Sequence, residues 1–351
     1  ESVDADSSGA KDAAAESTEI SDKIFARRYL NEPVLIYRKE DGTPVALRDR
    51  CPHRYLPLSM GRKLGDTIQC GYHGMIFDET GACSDIPTQD SIPETAKIKA
   101  YPLAERYGFL WIWMGDPEKA DEALIPDFEP DLGLKLGERL NDDYPSHWGY
   151  KKVQGHYQLM VDNLLDLSHI GFVHSSTIGS EETTRQHASG EQKVVGKIVS
   201  DYRIAIDVEA PPAFKAAPVE GPIDFWLDMH HHIPSNFLQV FGIAPTGMDR
   251  DKGVPFEGFH LLTPETDTSC HYYFGAYLKV KGAPQEPVDK LAMAADHAFN
   301  EDMVVIEAQQ KEIIEGQELV EDTTVALRAD RAGIMARKLL SQHLAAEQSA
   351  E

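Results

Sequence analysis

Short runs of alternating apolar and polar residues dominate the first third of the chain. Phe25–Arg28, Pro33–Arg38 and Pro44–Arg48 are rich in β-branched or aromatic residues and are separated by turn residues. Tyr107–Met114 places its large aromatic side chains on one face under a period of two. This pattern predicts a small all-β domain over residues 23–118.

Residues 1–22 have a different composition from the rest of the chain. They are rich in Ala, Ser, Asp and Glu and contain few large apolar residues. Such a stretch buries too little apolar surface to offset the entropy that is lost when it becomes ordered. We therefore expect a disordered tail over these residues.

A helical period appears in the remaining two thirds of the chain. His156–Phe172 carries apolar residues at steps of three and four, and Val288–Glu315 and Thr323–Glu347 are long and rich in Ala, Glu, Lys and Leu. Between them lie several strand-like runs, of which Lys193–Val208 alternates most clearly. The pattern predicts a larger domain over residues 119–345, with an antiparallel sheet flanked by helices, and an α+β fold class for the whole chain.

Composition narrows the function further. The chain has 351 residues and a net charge of −24, which argues against nucleic acid as a partner because phosphate binding needs a basic surface. The longest apolar runs are too short to cross a bilayer, and no basic-then-apolar leader is present. Four cysteines could form two disulfides, but a chain with a large core does not need them. We expect a cytoplasmic protein with no membrane partner.

Two of the four cysteines lie in mixed cysteine–histidine turns. Cys51-Pro-His53 is followed, after sixteen residues, by Cys70-Gly-Tyr-His73. Two such turns can supply two thiolates and two imidazoles to one site. Zinc accepts that ligand set in a tetrahedron, and a [2Fe–2S] cluster accepts it with both sulfurs on one iron and both imidazoles on the other. The mixed turns favour the cluster, but the spacing alone leaves zinc open.

The second motif runs from Asp162 to His174. Asn163, Asp166 and His169 recur at steps of three, so a helix places them on one stripe. His174 lies five residues beyond His169, and a straight helix would turn it about 140° away. We expect Gly171 to end or bulge the helix, so that both imidazoles face one site.

Two histidines and one carboxylate, with positions left open for dioxygen, are typical of non-haem Fe(II) oxygenases. Asp302 and Glu301 are candidates for the carboxylate, since Val304, Val305 and Ile306 would bury that helix. A single histidine on an apolar helix is more often structural. The adjacent histidines of residues 230–232 point to opposite faces of a strand, so we expect them to line a pocket or lie at the surface.

The two motifs, in this order, resemble those of the Rieske non-haem iron aromatic oxygenases of the vanillate and dicamba O-demethylase type. The resemblance implies a [2Fe–2S] cluster held by Cys51, His53, Cys70 and His73. It also implies a mononuclear Fe(II) ion, for which it selects Asp302 over Glu301 as the carboxylate. The chain departs from the family at its start, because its segment of residues 12–16 lacks the aromatic anchor that relatives carry. The implied Fe(II) ligands are His169, His174 and Asp302.

The resemblance implies further residue roles and a homotrimer. Asp166 would accept hydrogen bonds from His169 and from His73 of an adjacent copy, and electrons would cross between the two metal centres there. Asn163 would lie near the iron. In the substrate pocket, Asn236 and His260 match positions that contact substrate in similar enzymes.

The implied function is that of the terminal oxygenase of a multicomponent monooxygenase. Electrons from NAD(P)H would arrive through a flavin and [2Fe–2S] reductase or a ferredoxin. With dioxygen the oxygenase would hydroxylate a methyl group of a small aromatic substrate, foremost in the O-demethylation of a vanillate-like methoxyarene. Alternatives are hydroxylation of an aryl methyl such as that of toluenesulfonate, ring cis-dihydroxylation, and a Rieske electron carrier without catalytic activity. The second motif and the large second domain argue against the carrier.

Overall fold

The computed structural model describes residues 12–21, 23–127, 144–187, 190–215, 217–278, 280–313 and 325–350. The chain divides into two compact units. The first comprises the chain up to Ile125 together with Glu265–Asp267, and the second comprises the remainder from Pro126 onward. The boundary that the sequence suggests, after residue 118, falls shortly before this division.

The first unit is built of small antiparallel sheets, as the short alternating runs predict. One sheet has the strand order β1-β11-β10, a second the order β2-β3-β4-β9, and a third the order β5-β6-β7-β8. The eleven strands are β1 (Asp12–Glu16), β2 (Phe25–Tyr29), β3 (Glu32–Arg38), β4 (Pro44–Arg48), β5 (Arg62–Leu64), β6 (Thr67–Gln69), β7 (Ile76–Phe77), β8 (Cys83–Asp85), β9 (Ala100–Tyr101), β10 (Leu103–Arg106) and β11 (Phe109–Ile112).

Strand β1 lies within the stretch that we expect to be a disordered tail, and there the expectation was wrong. Ala13, Ala14 and Ala15 are fully buried, and β1 pairs antiparallel with β11. The Tyr29 hydroxyl donates to the Ala14 carbonyl oxygen over 2.6 Å. Alanines have low apolar area of their own, but here β11 pairs with Ala13 and Ala15, Tyr29 binds Ala14 at the bulge between them, and the neighbouring core covers all three. Residues 1–11 and 22 lie outside the described part of the chain.

The second unit contains a seven-stranded sheet with the order β12-β18-β17-β16-β15-β14-β13 and five helices among its described residues. This arrangement confirms the predicted α+β class. The sequence patterns did not reveal β12, and they indicated only the end of β15 that carries the histidines of residues 230–232. The strands are β12 (Ser146–Val153), β13 (Glu191–Val195), β14 (Ile198–Val208), β15 (Ile223–His232), β16 (Asn236–Pro245), β17 (Val254–Thr266) and β18 (Ser269–Leu278), and the helices are α1 (Tyr157–Leu165), α2 (Ile170–Val173), α3 (Glu181–His187), α4 (Glu286–Glu312) and α5 (Arg331–Ala350).

Alternation along β15 and β16 decides which side chains point toward the helices. Leu227 pairs with Phe241 and Met229 pairs with Gln239, so these four residues share one face. Leu227 and Phe241 belong to the same hydrophobic core as buried residues of α1 and α4. The helices therefore cover this face of the sheet, and the candidate catalytic residues lie between the two layers.

Helix α4 is the longest helix of the described residues and presents a buried stripe. Its buried positions include Val288, Leu291, Ala298, Asp302 and Ile306, which recur at steps of three to seven. A carboxylate within an apolar stripe is unusual and calls for a partner. Within the described ranges, neither α4 nor any other helix has an apolar stretch long enough to cross a membrane.

Candidate metal centres

The helix expected to continue to Phe172 is interrupted at Asp166. The backbone of Asp166 leaves the helical region, with φ −98° and ψ 86°, and ends α1. Its side-chain Oδ1 accepts hydrogen bonds from the Ser168 amide over 2.9 Å and from the Ser168 hydroxyl over 2.6 Å. These bonds start a 3-10 turn over Leu167–His169 that leads into α2. The change of direction that brings the histidines together therefore lies at Asp166.

Gly171 has a different role from the helix break that the sequence suggests. It lies inside α2, where a Cβ atom would come within 2.3 Å of Thr184 Oγ1 and 2.5 Å of the Ser180 carbonyl oxygen. Glycine therefore allows the segment around α3 to pack closely against α2. The expectation of a bulge at Gly171 was wrong, although the outcome for the two imidazoles is the one expected.

The break places His169, His174 and Asp302 in one cluster. Their ligand atoms all lie within 4.8 Å of one another. Asp302 Oδ1 lies 3.0 Å from His174 Nε2 and 3.4 Å from His169 Nε2. Two atoms that each bind one metal ion at about 2.1 Å and at right angles are about 3 Å apart, so the spacing fits one ion. Two imidazoles and one carboxylate form the set that non-haem Fe(II) uses.

The second ring nitrogen of each histidine is held by another acceptor. His174 Nδ1 lies 2.9 Å from Glu301 Oε2, and His169 Nδ1 contacts the backbone carbonyl oxygen of Asp166. Such contacts fix the tautomer and leave Nε2 for a metal. The expected bond from His169 to the Asp166 carboxylate is not the one observed, since that carboxylate binds Ser168.

Charge and burial act in opposite directions in this cluster. Burial alone would raise the pKa of Asp302, but the hydrogen bonds from His169 and His174 outweigh it and hold that pKa well below its usual value. Burial lowers the pKa of His174, and the Asp302 and Glu301 carboxylates outweigh that effect and raise it. The site therefore stabilises positive charge between its carboxylates, as a cation site must.

Asn163 lies beside the same three residues. Its Nδ2 donates to Asp302 Oδ1 over 3.0 Å and lies 3.5 Å from His169 Nε2. Its Oδ1 is buried and has no hydrogen-bond partner among the residues that the structure describes. An unpaired buried acceptor is costly, so it indicates that a polar group is bound next to Asn163.

The two cysteine–histidine turns of the first unit have matching backbone geometry. The Cys51 amide donates to the Leu56 carbonyl and the Cys70 amide donates to the Met75 carbonyl, so each turn is closed by the same five-residue step. Gly74, at φ +78°, takes the left-handed conformation that glycine adopts without strain. Each cysteine is thus placed at the start of a tight loop whose imidazole follows two or three residues later.

The side chains of these turns meet in two pairs, Cys51 with Cys70 and His53 with His73. Cys51 and Cys70 are each 2% exposed, whereas His53 is exposed and His73 is half-buried. The two Nδ1 atoms lie 3.1 Å apart. Burial raises the pKa of the Cys51 thiol, and the adjacent Cys70 adds to the effect. Two inner sulfurs and two outer imidazoles fit a [2Fe–2S] cluster, whose imidazole-bound iron would face the surface.

A cavity of about 910 Å³, including its open mouth, adjoins the triad in the second unit. Its wall is mostly apolar, which suits an aromatic ligand. The described residues that line it carry one carboxylate, Asp302, and no lysine or arginine. They are His147, Asn163, Leu164, Leu167, His169, Ile170, His174, Ile178, Phe214, Phe225, Leu227, Met229, Gln239, Phe241, His260, Phe274, Gly275, Ala276, Leu291, Ala292, Ala295, Phe299 and Asp302.

His260 and Gln239 form the polar part of the sheet wall of this cavity. His260 Nδ1 lies 2.7 Å from the Tyr272 hydroxyl, and its Nε2 lies 3.2 Å from Gln239 Oε1. Burial lowers the pKa of His260 to about 3, so the ring is neutral at pH 7. A neutral His260 ring that accepts a hydrogen bond from the Tyr272 hydroxyl at Nδ1 donates one from Nε2 to Gln239 Oε1. The amide hydrogens of Gln239 can then donate into the cavity.

Asn236, which the resemblance placed in the pocket, does not line it. Successive strand residues alternate between faces, and Gln239 shares the pocket face with Phe237 and Phe241. Asn236 is 1% exposed and pairs with His232 on the opposite face. The assignment of Asn236 to the pocket was wrong because its side chain points to the opposite face of β16. Gln239 lines the pocket from this strand instead.

Nor do the histidines of residues 230–232 join a metal cluster among the described residues. His230 contacts Ser200 Oγ, and the His231 ring stacks on Phe237 at 4.3 Å. His231 Nε2 lies 3.1 Å from the Pro234 carbonyl oxygen. These contacts give the group a structural role.

Comparison with known proteins gives both units a family. Residues 11–102 match the Rieske [2Fe–2S] domain, and residues 153–346 match the vanillate O-demethylase oxygenase C-terminal domain. The chain belongs to the Rieske non-haem iron oxygenases. As in other oxygenase components of this family, a [2Fe–2S] cluster and a mononuclear iron ion are the cofactors, and the two donor sets described above fit them.

Individual relatives cover nearly the whole of this oxygenase. An iron–sulfur subunit of the toluene-4-sulfonate monooxygenase system of Comamonas testosteroni is 35% identical over 95% of this chain and 96% of its own. The oxygenase component of dicamba O-demethylase from Stenotrophomonas maltophilia is 34% identical over 85% of this chain and 86% of its own. A crystal structure of dicamba monooxygenase with non-haem iron and dicamba superimposes with a TM-score of 0.76, at 30% identity, over 97% of this chain and 98% of that one. The predicted fold and class of enzyme are thereby confirmed.

Proposed function

We propose that this oxygenase O-demethylates a small methoxyarene of the vanillate type. The observation that carries the proposal is the position of the His169–His174–Asp302 triad at an apolar cavity. A bound iron supplies the activation of dioxygen at that point. The methyl C–H bond becomes C–OH, the second oxygen atom leaves as water, and two electrons and two protons are consumed. The hemiacetal then collapses to formaldehyde and a phenol.

The residues of the chain have separate tasks in this reaction. His169, His174 and Asp302 hold the iron, and Cys51, His53, Cys70 and His73 hold the cluster that receives electrons. Apolar side chains such as Phe241 and Phe274 exclude water from the ring of the substrate. The Gln239 amide donates to an oxygen substituent of that ring, and His260 orients the amide.

The electrons come from a separate reductase or ferredoxin, as the multicomponent systems of the relatives imply. We propose a reductase with flavin and a plant-type [2Fe–2S] centre that oxidises NAD(P)H, in the reducing cytoplasm. The exposure of His53 and the partial exposure of His73 support electron entry and exit at this edge of the cluster. The net charge of −24 would repel an acidic donor at long range unless a local patch of positive charge lies at the docking surface.

We also propose a homotrimer in which His73 of one copy reaches Asp166 of the next. Asp166 is half-buried and lies at the break between α1 and the turn that carries His169. A carboxylate there can accept a hydrogen bond from an imidazole of another copy while its own backbone carbonyl contacts His169. Electron transfer would then occur between copies.

Oxygen uptake with formaldehyde analysis tests the proposed reaction. The oxygenase, with a compatible reductase and NADH, is presented with methoxybenzoates, halogenated anisoles and toluenesulfonates. Formaldehyde formed in equal amount to the oxygen consumed supports O-demethylation. A benzyl alcohol from an aryl methyl supports the second candidate, which the toluene-4-sulfonate relative favours. A cis-diol, or no substrate-dependent oxygen uptake at all, contradicts both.

A further inference from the structure

The buried imidazole of His174 is held by a carboxylate at each of its two nitrogens. Asp302 Oδ1 lies 3.0 Å from Nε2, and Glu301 Oε2 lies 2.9 Å from Nδ1. His174 is 1% exposed, so water does not compete for these positions. Rotation of the ring about its Cβ–Cγ bond would break both contacts, and the ring plane is therefore fixed.

Both carboxylates come from consecutive positions of helix α4. Consecutive helical residues point about 100° apart, so the two side chains approach the ring from different directions. The shorter Asp302 reaches the nitrogen that faces the cavity, and the longer Glu301 reaches the nitrogen on the far side. One helix thus supplies a ligand for the iron and the group that orients a second ligand.

The two histidines of the triad differ in this respect. His169 Nδ1 contacts a backbone carbonyl, which is neutral, whereas His174 Nδ1 contacts a full negative charge. A carboxylate behind the imidazole makes Nε2 a stronger donor to a metal. Together, Asp302 and Glu301 carry two negative charges, which balance the charge of Fe(II) in a site whose remaining ligands are neutral.

The other oxygen of Glu301 faces the surface. Glu301 Oε1 lies 3.5 Å from His297 Nε2, one helical turn earlier on α4, and His297 is 64% exposed. The Glu301 side chain is 28% exposed. The contact of Glu301 with His174 is thus shielded from solvent, while its outer oxygen is solvent-exposed. A substitution of His297 therefore tests the outer contact alone.

We propose that Glu301 is the positioning residue of the iron site: it fixes the orientation and the tautomer of His174 and strengthens its bond to the metal. The inference rests on the proposed iron site and adds a residue to it. Substituting Glu301 should weaken metal binding without any change to the [2Fe–2S] cluster, which lies in the other unit of the chain.

Metal titration tests this role directly. The mononuclear iron is removed with a chelator while the visible spectrum of the cluster is monitored, and Fe(II) or Co(II) is then titrated back. Glu301→Ala should bind Fe(II) about 10- to 100-fold more weakly than the wild type and should change the ligand-field spectrum of bound Co(II). Glu301→Gln keeps an acceptor oxygen but not the charge, so its loss should be smaller.

Two control variants define the specificity of the effect. Glu286→Gln removes an exposed carboxylate from the first turn of the same helix, where it pairs with Lys290, and should leave metal affinity unchanged. His297→Ala removes only the outer contact of Glu301 and should also bind Fe(II) as the wild type does.

Each outcome decides between the hypotheses. Equal Fe(II) affinity and equal Co(II) spectra in Glu301→Ala and wild type overturn the role of Glu301 alone. If Glu301→Ala does not fold, Glu301→Gln decides, because wild-type affinity in that variant overturns the inference and a several-fold loss supports it. A wild-type protein that takes up no Fe(II) contradicts the proposed function itself.

Discussion

The side-chain amide of Asn163 donates a hydrogen bond to the carboxylate of Asp302 over 3.0 Å, although 139 positions separate them in the chain. The bond joins α1 to α4 at the iron site. It occupies one lone pair of Oδ1, the atom that also lies closest to His174. A metal ligand that is already oriented by an amide needs little reorganisation when the ion binds.

Asp302→Ala should abolish turnover and mononuclear iron binding. Asp302 is the one anionic ligand of the triad, and its loss leaves two neutral imidazoles for a divalent cation. The red-brown visible spectrum of the cluster should remain, because its ligands lie elsewhere. Iron analysis, visible spectroscopy and oxygen uptake measure the three properties. Asp296→Asn, an exposed change on the same helix, serves as the control. Full activity in Asp302→Ala would place the carboxylate ligand at another residue.

Mixed assemblies should reveal whether electrons cross between copies. Cys70→Ser should destroy the cluster but leave the iron site, and Asp302→Ala should do the reverse, so each variant alone is inactive. In a trimer with transfer between copies, the two variants complement each other when they are produced together. A substantial fraction of wild-type oxygen uptake is then expected from the mixture and none from either variant.

The complementation needs a structural control. Cys83→Ser changes a half-buried thiol on β8 that belongs to neither cysteine–histidine turn and should keep both colour and activity. No activity in the co-produced mixture, despite mixed trimers detected by native mass spectrometry, would show that transfer occurs within one copy.

Gln239→Leu should weaken substrate binding, whereas Asn236→Leu should not. The two residues lie three positions apart on β16, but only Gln239 faces the cavity. Loss of one neutral hydrogen bond costs about 1 kcal/mol, so KM should rise about fivefold for a substrate with a ring oxygen substituent. Asn236→Leu alters the opposite face and should change stability alone. The reverse result would restore Asn236 as the pocket residue.

Stability should fall as the pH drops below about 6.5, in part because of two buried histidines. Burial lowers the pKa of His231 and of His260 to about 3, while the unfolded chain titrates near the ordinary value of about 6.5. Between these values the unfolded state binds protons that the folded state does not. The free energy of unfolding therefore falls with decreasing pH, by up to about 1.4 kcal/mol per unit for each histidine.

Denaturant unfolding at several pH values measures this dependence. His231→Phe keeps a ring that can stack on Phe237 but cannot take up a proton. The variant should show a pH slope smaller than that of the wild type by up to about 1.4 kcal/mol per unit between pH 6 and 4. Identical slopes in the two proteins would mean that His231 is not held neutral by the fold.

The motifs could be predicted from sequence because ligand spacing is local. Cys51 and His53, or His169 and His174, are close in the chain, and the chemistry of their side chains restricts what they can bind. The break at Asp166 also had a local signal: an aspartate two residues before Ser168 is a typical cap of a helical turn. That signal competed with the apolar period, which continues through the break.

Other features depended on partners far away in the chain. Strand β1 forms because β11 pairs with it, and its three alanines contain no sign of this. Asn236 and Gln239 lie on opposite faces of β16. Which of the two faces the cavity is set by the register of β16 with β15 and β17. Glu301 and Asp302 are adjacent acids, and only the position of His174 separates their roles.

The contact between His174 and Asp302 also spans 128 positions, including six of the seven strands of the large sheet, β13 to β18. An ion bound by both residues closes that stretch of chain into a ring and so acts as a reversible cross-link. Because the entropic cost of ring closure grows with the length of chain enclosed, this cross-link would lower the conformational entropy of the unfolded chain over most of this unit. Iron loading should thus protect distant strands from local unfolding, and loss of the iron should lower the stability of the whole sheet.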